Sequence, residues 1–259
     1  MISVPDCLVQ SGLSVDFAEK VGVLRGLIME IRAGEIIGLV GESGGGKSTF
    51  ALALLGLLDR RTTTIGGTLT FQHHDLLTLS EREFRRLRGR AISLVPQSPL
   101  ASLSPRLSVG GHLREAWLIH EPARRSDWRV PALAALEAAQ LPTDNSFLDL
   151  RPGSLSVGMA QRLLIAMAIL HRPSLLIADE PTSALDLIHQ AGVLDLFRKL
   201  RDTFGMAVLF ITHDLHAAAA ICDSVSVLFE GVIVEQGPPA QLFDHPAHPY
   251  TRALSAARR

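Results

Sequence analysis

The sequence predicts an α/β fold built around a mostly parallel sheet, and three observations carry that expectation. Glu35-Ile-Ile-Gly-Leu-Val40 reads as a buried strand, and it runs through the glycine loop Gly41-Glu-Ser-Gly-Gly-Gly-Lys47-Ser48 into the helix start Thr49-Phe-Ala-Leu-Ala-Leu-Leu55. From Leu175 onward, apolar runs alternate with helical stretches: Leu175–Ala178, a helix over 187–203, Ala207–Ile211, a helix over 215–221, then Ser224–Phe229. That is the βαβ rhythm of parallel strands joined by crossover helices. The chain has 259 residues, 47% of them hydrophobic, enough for one α/β domain with an inserted subdomain.

The remaining elements follow in chain order. Residues 1–40 carry short alternating runs with glycine punctuation (Ser14-Val15-Asp16-Phe17; Leu27 to Ile31), which predicts β-hairpins. Residues 62–72 predict a loop and a further strand, and His73-His74-Asp75 a surface turn. Leu79 to Arg90 predicts a charged helix, with Ser80 as N-cap and Glu83 as its capping-box partner. Ala91–Val95 predicts a buried strand ending at Pro96-Gln97. Residues 99–152 change character, with Pro, Arg and Ala-rich stretches such as Val130 to Gln140 and no convincing strand, and predict a helical insertion. No window of 18 apolar residues is free of charges or breakers, so no spanning helix is expected. The first residues lack a basic stretch followed by an apolar one, so no signal peptide is expected. A net charge of −1 gives no electrostatic reason to propose nucleic acid as a ligand. Cys7 and Cys222 match no metal spacing and suggest a reducing compartment.

The glycine loop fits G-x-x-x-x-G-K-[ST], the phosphate-binding loop of nucleoside triphosphatases. Glycines let successive backbone N–H groups turn toward phosphate oxygens, and the following helix N-terminus adds partial positive charge. Gly41, Ser43, Gly44, Gly45, Gly46, Lys47, Ser48 and Thr49 are the expected phosphate-binding residues. Lys47 is expected to reach the β- and γ-phosphates of ATP, and the Ser48 hydroxyl to hold Mg²⁺. Further on, Leu175-Leu-Ile-Ala-Asp179-Glu180 places two carboxylates at the end of a buried strand. Asp179 is expected to face Mg²⁺, and Glu180 to polarise the attacking water as general base.

Leu155-Ser156-Val-Gly158-Met-Ala-Gln-Arg162 resembles the L-S-G-G-[QM]-x-Q-R signature of ABC-transporter ATPase subunits, and further family motifs follow in order. Gln97 matches the Q-loop glutamine, Ser183-Ala-Leu-Asp186 the D-loop, and His213 the switch histidine. The resemblance implies one ABC ATPase domain over residues 1–259: a P-loop (RecA-like) core, an antiparallel β subdomain, and an inserted helical subdomain over 99–160 that carries the signature. It implies catalytic roles for Glu180, His213 and Gln97, and a place for Gln97 beside Mg²⁺. Ser156, Gly158 and Asp186 would complete the ATP site of a second ATPase subunit. Phe17 is the best candidate to stack on adenine. The segment Val234 to Leu254, with its His245-Pro-Ala-His248-Pro-Tyr250-Thr run, resembles the tail of the oligopeptide, dipeptide and nickel import branch. A tail over 235–259 is therefore implied, and it explains His245 and His248 better than a metal site does. The implied partners are a second ATPase subunit, transmembrane permease subunits and, indirectly, an extracytoplasmic solute-binding protein. The implied location is peripheral, on the cytoplasmic face of the inner membrane.

Two alternatives stay open at the level of sequence. One is a soluble ABC ATPase acting on nucleic acid or ribosomes. The other is a catalytically degenerate cassette paired with an active one, motivated by Val157. A β-branched residue stands there in place of the usual glycine, where it could crowd the partner's nucleotide or demand a different backbone angle.

Overall fold

Alternation at the start of the chain becomes a hairpin. In the computed structural model, which describes residues 8–257, β1 (Val9–Phe17) pairs antiparallel with β2 (Lys20–Ile31). Val9, Ser11, Leu13 and Val15 point inward and the residues between them are more exposed, the period of a half-buried strand. The inward hydroxyl of Ser11 is satisfied by donating to the Leu27 carbonyl and accepting from the Met29 N–H, both at 3.0 Å. On the other side of β1 lies β4 (Thr63–Phe71), followed by the two-residue β5 (His74–Asp75), giving the sheet order β2-β1-β4-β5. The expected turn at His73 is present: Gln72 and His73 take φ of 48° and 67°.

The second sheet has six strands in the order β10-β9-β3-β8-β7-β6. These are β3 (Ile36–Gly41), β6 (Ile92–Val95), β7 (Leu175–Asp179), β8 (Ala207–Thr212), β9 (Ser224–Phe229) and β10 (Val232–Gly237). All pairings are parallel except that of β10 with β9. One hairpin, β1–β2, forms within residues 1–40; Ile36–Gly41 instead joins the parallel sheet, because its apolar run is buried on both faces. Along β8, Val208 and Phe210 face one hydrophobic core, while Ala207, Leu209 and Ile211 face another. The first core fills the space toward the helices that precede and follow β7. The second joins the parallel sheet to the antiparallel one through α1 (Lys47–Leu54).

The charged helix forms as α2 (Glu81–Leu87), shorter than the run from Leu79 to Arg90. Its capping box is complete: the Glu83 N–H donates to Ser80 Oγ and the Ser80 N–H to Glu83 Oε2. Arg88 leaves the helix, and its guanidinium donates to the Leu55 and Gly56 carbonyls and pairs with Glu81. Between β6 and β7 stand α3 (Pro99–Ser102), α4 (Val109–Leu118), α5 (Arg129–Ala138), α6 (Asn145–Leu148) and α7 (Val157–Ile169). Then α8 (Leu187–Phe204) returns the chain to β8 and α9 (Leu215–Ile221) leads to β9. The short α10 (Pro239–Asp244) and α11 (Pro249–Ala257) follow β10. No helix among the described residues is long and apolar enough to cross a membrane. Cys222 is buried, and burial pushes its thiol pKa well up, so it is inert; Cys7 lies outside the described residues.

Phe210 is fully buried and meets Phe197 edge-on, with ring centroids 5.9 Å apart. Phe210→Ala is expected to destabilise the fold by about 3–5 kcal/mol. Ser80→Ala, at an exposed cap, is expected to cost only about 1 kcal/mol. Chemical denaturation of both variants checks the ratio.

Candidate active site

The parallel strands place four segments on one edge of the sheet. The loop after β3, Gln97 after β6, Asp179 and Glu180 at the end of β7, and His213 after β8 all leave the carboxyl ends of their strands. They enclose a recess of 250 Å³ lined by Ser43, Gly44, Gly46, Lys47, Ser48, Thr49, Gln97, Asp179, Glu180 and His213. A larger hollow of 380 Å³, lined by Trp117, Pro131, Ile169 and Phe204 among others, has no glycine loop or carboxylate pair; the chemistry belongs to the smaller recess.

The loop holds its path because Gly41 and Gly46 leave no room for a side chain. Gly46 has φ 105°, and a Cβ there would come within 2.8 Å of the Val23 carbonyl oxygen. At Gly41 a Cβ would lie 2.2 Å from the Leu228 carbonyl oxygen. Ser80, Ser108, Asp144, Asp186 and Asp214 each close a helix N-terminus with a side-chain oxygen. By contrast α1 begins on Gly46 with no side-chain cap and no acidic residue in its first turn. Its leading N–H groups and its dipole are left to an anion. Lys47 is buried, and its ammonium donates to the Gly41 and Glu42 carbonyls at 2.8 and 2.9 Å. Burial lowers its pKa, while Glu180, Asp179 and Glu42 act in the opposite sense.

Two carboxylates face that lysine. Glu180 is almost wholly buried and has φ 51°, a left-handed backbone that is rare outside glycine. Its N–H bonds the Ile211 carbonyl at 2.9 Å, and its own carbonyl accepts from the Ser183 hydroxyl at 3.0 Å, so both sides of the bend are tied. Its Oε1 stands 2.8 Å from His213 Nδ1. Asp179 is half-buried. Burial above all raises its pKa, and the Ser48 hydroxyl and Lys47 pull the other way. Its Oδ1 is sealed from solvent without a hydrogen-bond partner among the described residues. An orphaned carboxylate oxygen beside a serine hydroxyl is the donor set a hard divalent cation requires, so these residues fit Mg²⁺.

Other sequence-predicted residues lie elsewhere. Ser156 caps α7, accepting from the Met159 N–H at 3.1 Å, and is exposed outside the recess. Gly158 packs on α8: a Cβ there would lie 3.1 Å from His189 Cδ2. Asp186 caps α8 and meets His189 Nδ1 at 2.8 Å. Val157 opens α7 with ordinary negative φ and an exposed side chain, so the glycine's backbone freedom is not needed there. Phe17 is half-buried against the second core and does not line the recess. Val21, 82% exposed, instead lines an adjoining hollow with Lys20, Gly44 and Gly45.

Comparison with known proteins agrees with the geometry. The family profile described as ABC transporter matches residues 24–183. A probable peptide ABC transporter ATP-binding protein of Sinorhizobium fredii is 46% identical over 232 residues, 89% of this chain and 69% of the relative. The oligopeptide transport ATP-binding protein OppD of Salmonella typhimurium is 42% identical over 93% of this chain and 73% of its own length. Among solved structures, the ATP-binding cassette MJ0796, a dimer in a post-hydrolysis state bound to ADP and Pi, superposes with a TM-score of 0.74 at 26% identity, covering 90% of this chain and 99% of that one. A glycine loop, a carboxylate pair and a histidine on one sheet edge, with a capped signature helix outside it, thus coincide with sequence likeness over most of the length, and the chain belongs to the ABC transporter family of ATP-binding subunits.

Proposed function

We propose that this chain hydrolyses ATP to drive a peptide importer. The carrying observation is the convergence of Lys47, Ser48, Asp179, Glu180 and His213 on one recess. The loop amides and the uncapped start of α1 would cradle the β- and γ-phosphates, and Lys47 would exchange its carbonyl partners for phosphate oxygens. Mg²⁺, held by Ser48 and Asp179 with Gln97 nearby, would neutralise phosphate charge when bound. Glu180 would take the proton of the attacking water, with His213 fixing the carboxylate through its 2.8 Å contact. Exposed Val21 offers the adenine an apolar surface beside the loop; Phe17 does not line this site.

Ser156 and Gly158 lie outside their own chain's recess, which supports a head-to-tail pair in which α7 of one subunit faces the nucleotide of the other. The uncapped face of phosphate charge would then draw the two N-termini together before hydrolysis and release them after it. The helices over 99–160 and the segment after Gln97 would grip transmembrane permease subunits at the cytoplasmic membrane surface. The likeness to peptide transport proteins at 42–46% identity supports peptide cargo, delivered by an extracytoplasmic binding protein. The same likeness argues against a role on nucleic acid or ribosomes.

Glu180→Gln is expected to lower ATP turnover by about 10²–10⁴-fold while leaving ATP binding intact. Steady-state hydrolysis and a nucleotide titration on the same preparation check it, and turnover at the wild-type rate would remove the base role. Val157→Gly is expected to leave ATP affinity of the isolated chain unchanged, because residue 157 does not line its own recess. Any change in turnover should appear only with the partner subunit present, and a changed affinity in the isolated chain would contradict the trans arrangement.

A further inference from the structure

His213 reaches the Glu180 carboxylate from a connection one residue long. β8 ends at Thr212 and Asp214 is the N-cap of α9, so His213 alone joins strand to helix. Its side chain is 58% exposed, so the backbone on either side, rather than packing around the ring, sets where it stands. Both neighbours are tied. The buried Thr212 hydroxyl accepts from the Asp214 N–H at 3.0 Å, closing a turn around His213. Asp214 Oδ1 accepts from the His216 and Ala217 N–H groups at 2.8 and 3.1 Å and so caps α9. Those bonds are local and move with the segment. The tie to another element comes from α8, where the Gln190 side-chain amide donates to Asp214 Oδ2 at 2.8 Å. One carboxylate oxygen thus serves α9 and the other binds α8. Burial by itself raises the Asp214 pKa, but the Gln190 amide and then the Ala217 and His216 N–H groups outweigh it and hold the carboxyl below its ordinary value. Gln190 stands in the first turn of α8, and its own N–H bonds the Asp186 carbonyl at 2.8 Å. Asp186, which caps that turn, is the residue that the family resemblance directs toward a second subunit's ATP.

We propose that Gln190 is a positioning residue for ATP hydrolysis: it ties Asp214 to α8 and thereby keeps His213 on the Glu180 carboxylate. The proposal rests on the hydrolytic roles given to Glu180 and His213 above. Gln190 does not line the recess, so it acts through Asp214 and not on the nucleotide. It also joins the placement of His213 to the turn that Asp186 begins. A shift of that turn on pairing therefore reaches Glu180 through Gln190, Asp214 and His213 in succession. A charged acceptor that loses its donor is costly, which favours the arrangement in which this bond is made.

The test is steady-state ATP hydrolysis beside an equilibrium Mg-ATP titration of the purified full chain, wild type against Gln190→Leu, with thermal melting of each. Leucine keeps a good helix former of similar size and removes the donor. The expected result is a fall in kcat of about ten-fold with the Kd for Mg-ATP unchanged, since Lys47 and the loop bind as before. Gln190→Glu sets two carboxylates face to face and is expected to lower kcat at least as far. Adding Asp214→Asn to Gln190→Glu restores the bond with donor and acceptor exchanged and leaves an amide oxygen to cap α9, so most of kcat is expected to return. An unchanged kcat for Gln190→Leu, a fall in kcat matched by a rise in Kd, or a double variant no better than Gln190→Glu would overturn the proposal. Glu180→Gln tests the hydrolytic reading separately. A wild type without turnover, or turnover that survives Glu180→Gln, removes that reading and the proposal with it. Turnover lost in Glu180→Gln but kept in Gln190→Leu removes the proposal alone.

Discussion

Everything at the site depends on the parallel alignment of β3, β6, β7 and β8. Parallel strands point their carboxyl ends the same way, so segments 41–48, 97, 179–180 and 213 meet although up to 172 positions separate them in sequence. In an antiparallel arrangement these ends would alternate between two edges, and no recess would form. The crossover connections that parallel pairing requires are supplied by helices, which also cover both faces. That is why β3 and β8 are buried along their whole length and apolar but for Thr212 at the end of β8.

A second constraint is electrostatic. A buried ammonium, a buried carboxylate and a half-buried one share a small volume, and burial shifts Lys47 and Asp179 toward their neutral forms. Their mutual attraction and the carbonyls around Lys47 offset that only in part, leaving an Asp179 oxygen without a partner. Such a site is incomplete by itself and gains when phosphate and a cation enter together. The left-handed backbone of Glu180 belongs to the same picture: its position is held by a bond to β8 and a bond to Ser183, and it turns the carboxylate to His213. The tail packs on the antiparallel edge of the same sheet. Glu235 accepts from the Ala247 and His248 N–H groups, and the turn so held sets Tyr250 against Phe229 at the end of β9.

How much of this was legible beforehand varies element by element. The phosphate loop was legible because its chemistry needs glycines at fixed spacing, and steric limits at Gly41 and Gly46 tie that spacing to one backbone path. The parallel strands were legible because burial on both faces demands uninterrupted apolar runs. The Ser80 and Glu83 cap was legible because both partners are local. Helix ends were less so: the run from Leu79 to Arg90 reads as one charged helix, but Arg88 is drawn out of it by the Leu55 and Gly56 carbonyls, acceptors over 30 residues away. The extent of the hairpin region was less legible too: the runs over 1–40 give one hairpin, and which strands flank Ile36–Gly41 is decided by partners at 207–212 and 224–229.

The sequence by itself determined the local chemistry of this protein: the loop that can take phosphate, the carboxylates at a buried strand's end, the signature helix start, and the alternation that makes an α/β sheet. Each of these depends on neighbours within a few residues, through backbone sterics, capping or periodicity. Only the tertiary structure decided which of those pieces share a recess and which face outward, that Glu180 is held by His213, that Val157 sits without backbone strain, and that Tyr250 stacks on Phe229. Those outcomes rest on contacts between residues tens to hundreds of positions apart, whose geometry is set by sheet order and core packing and leaves no periodic trace in the chain.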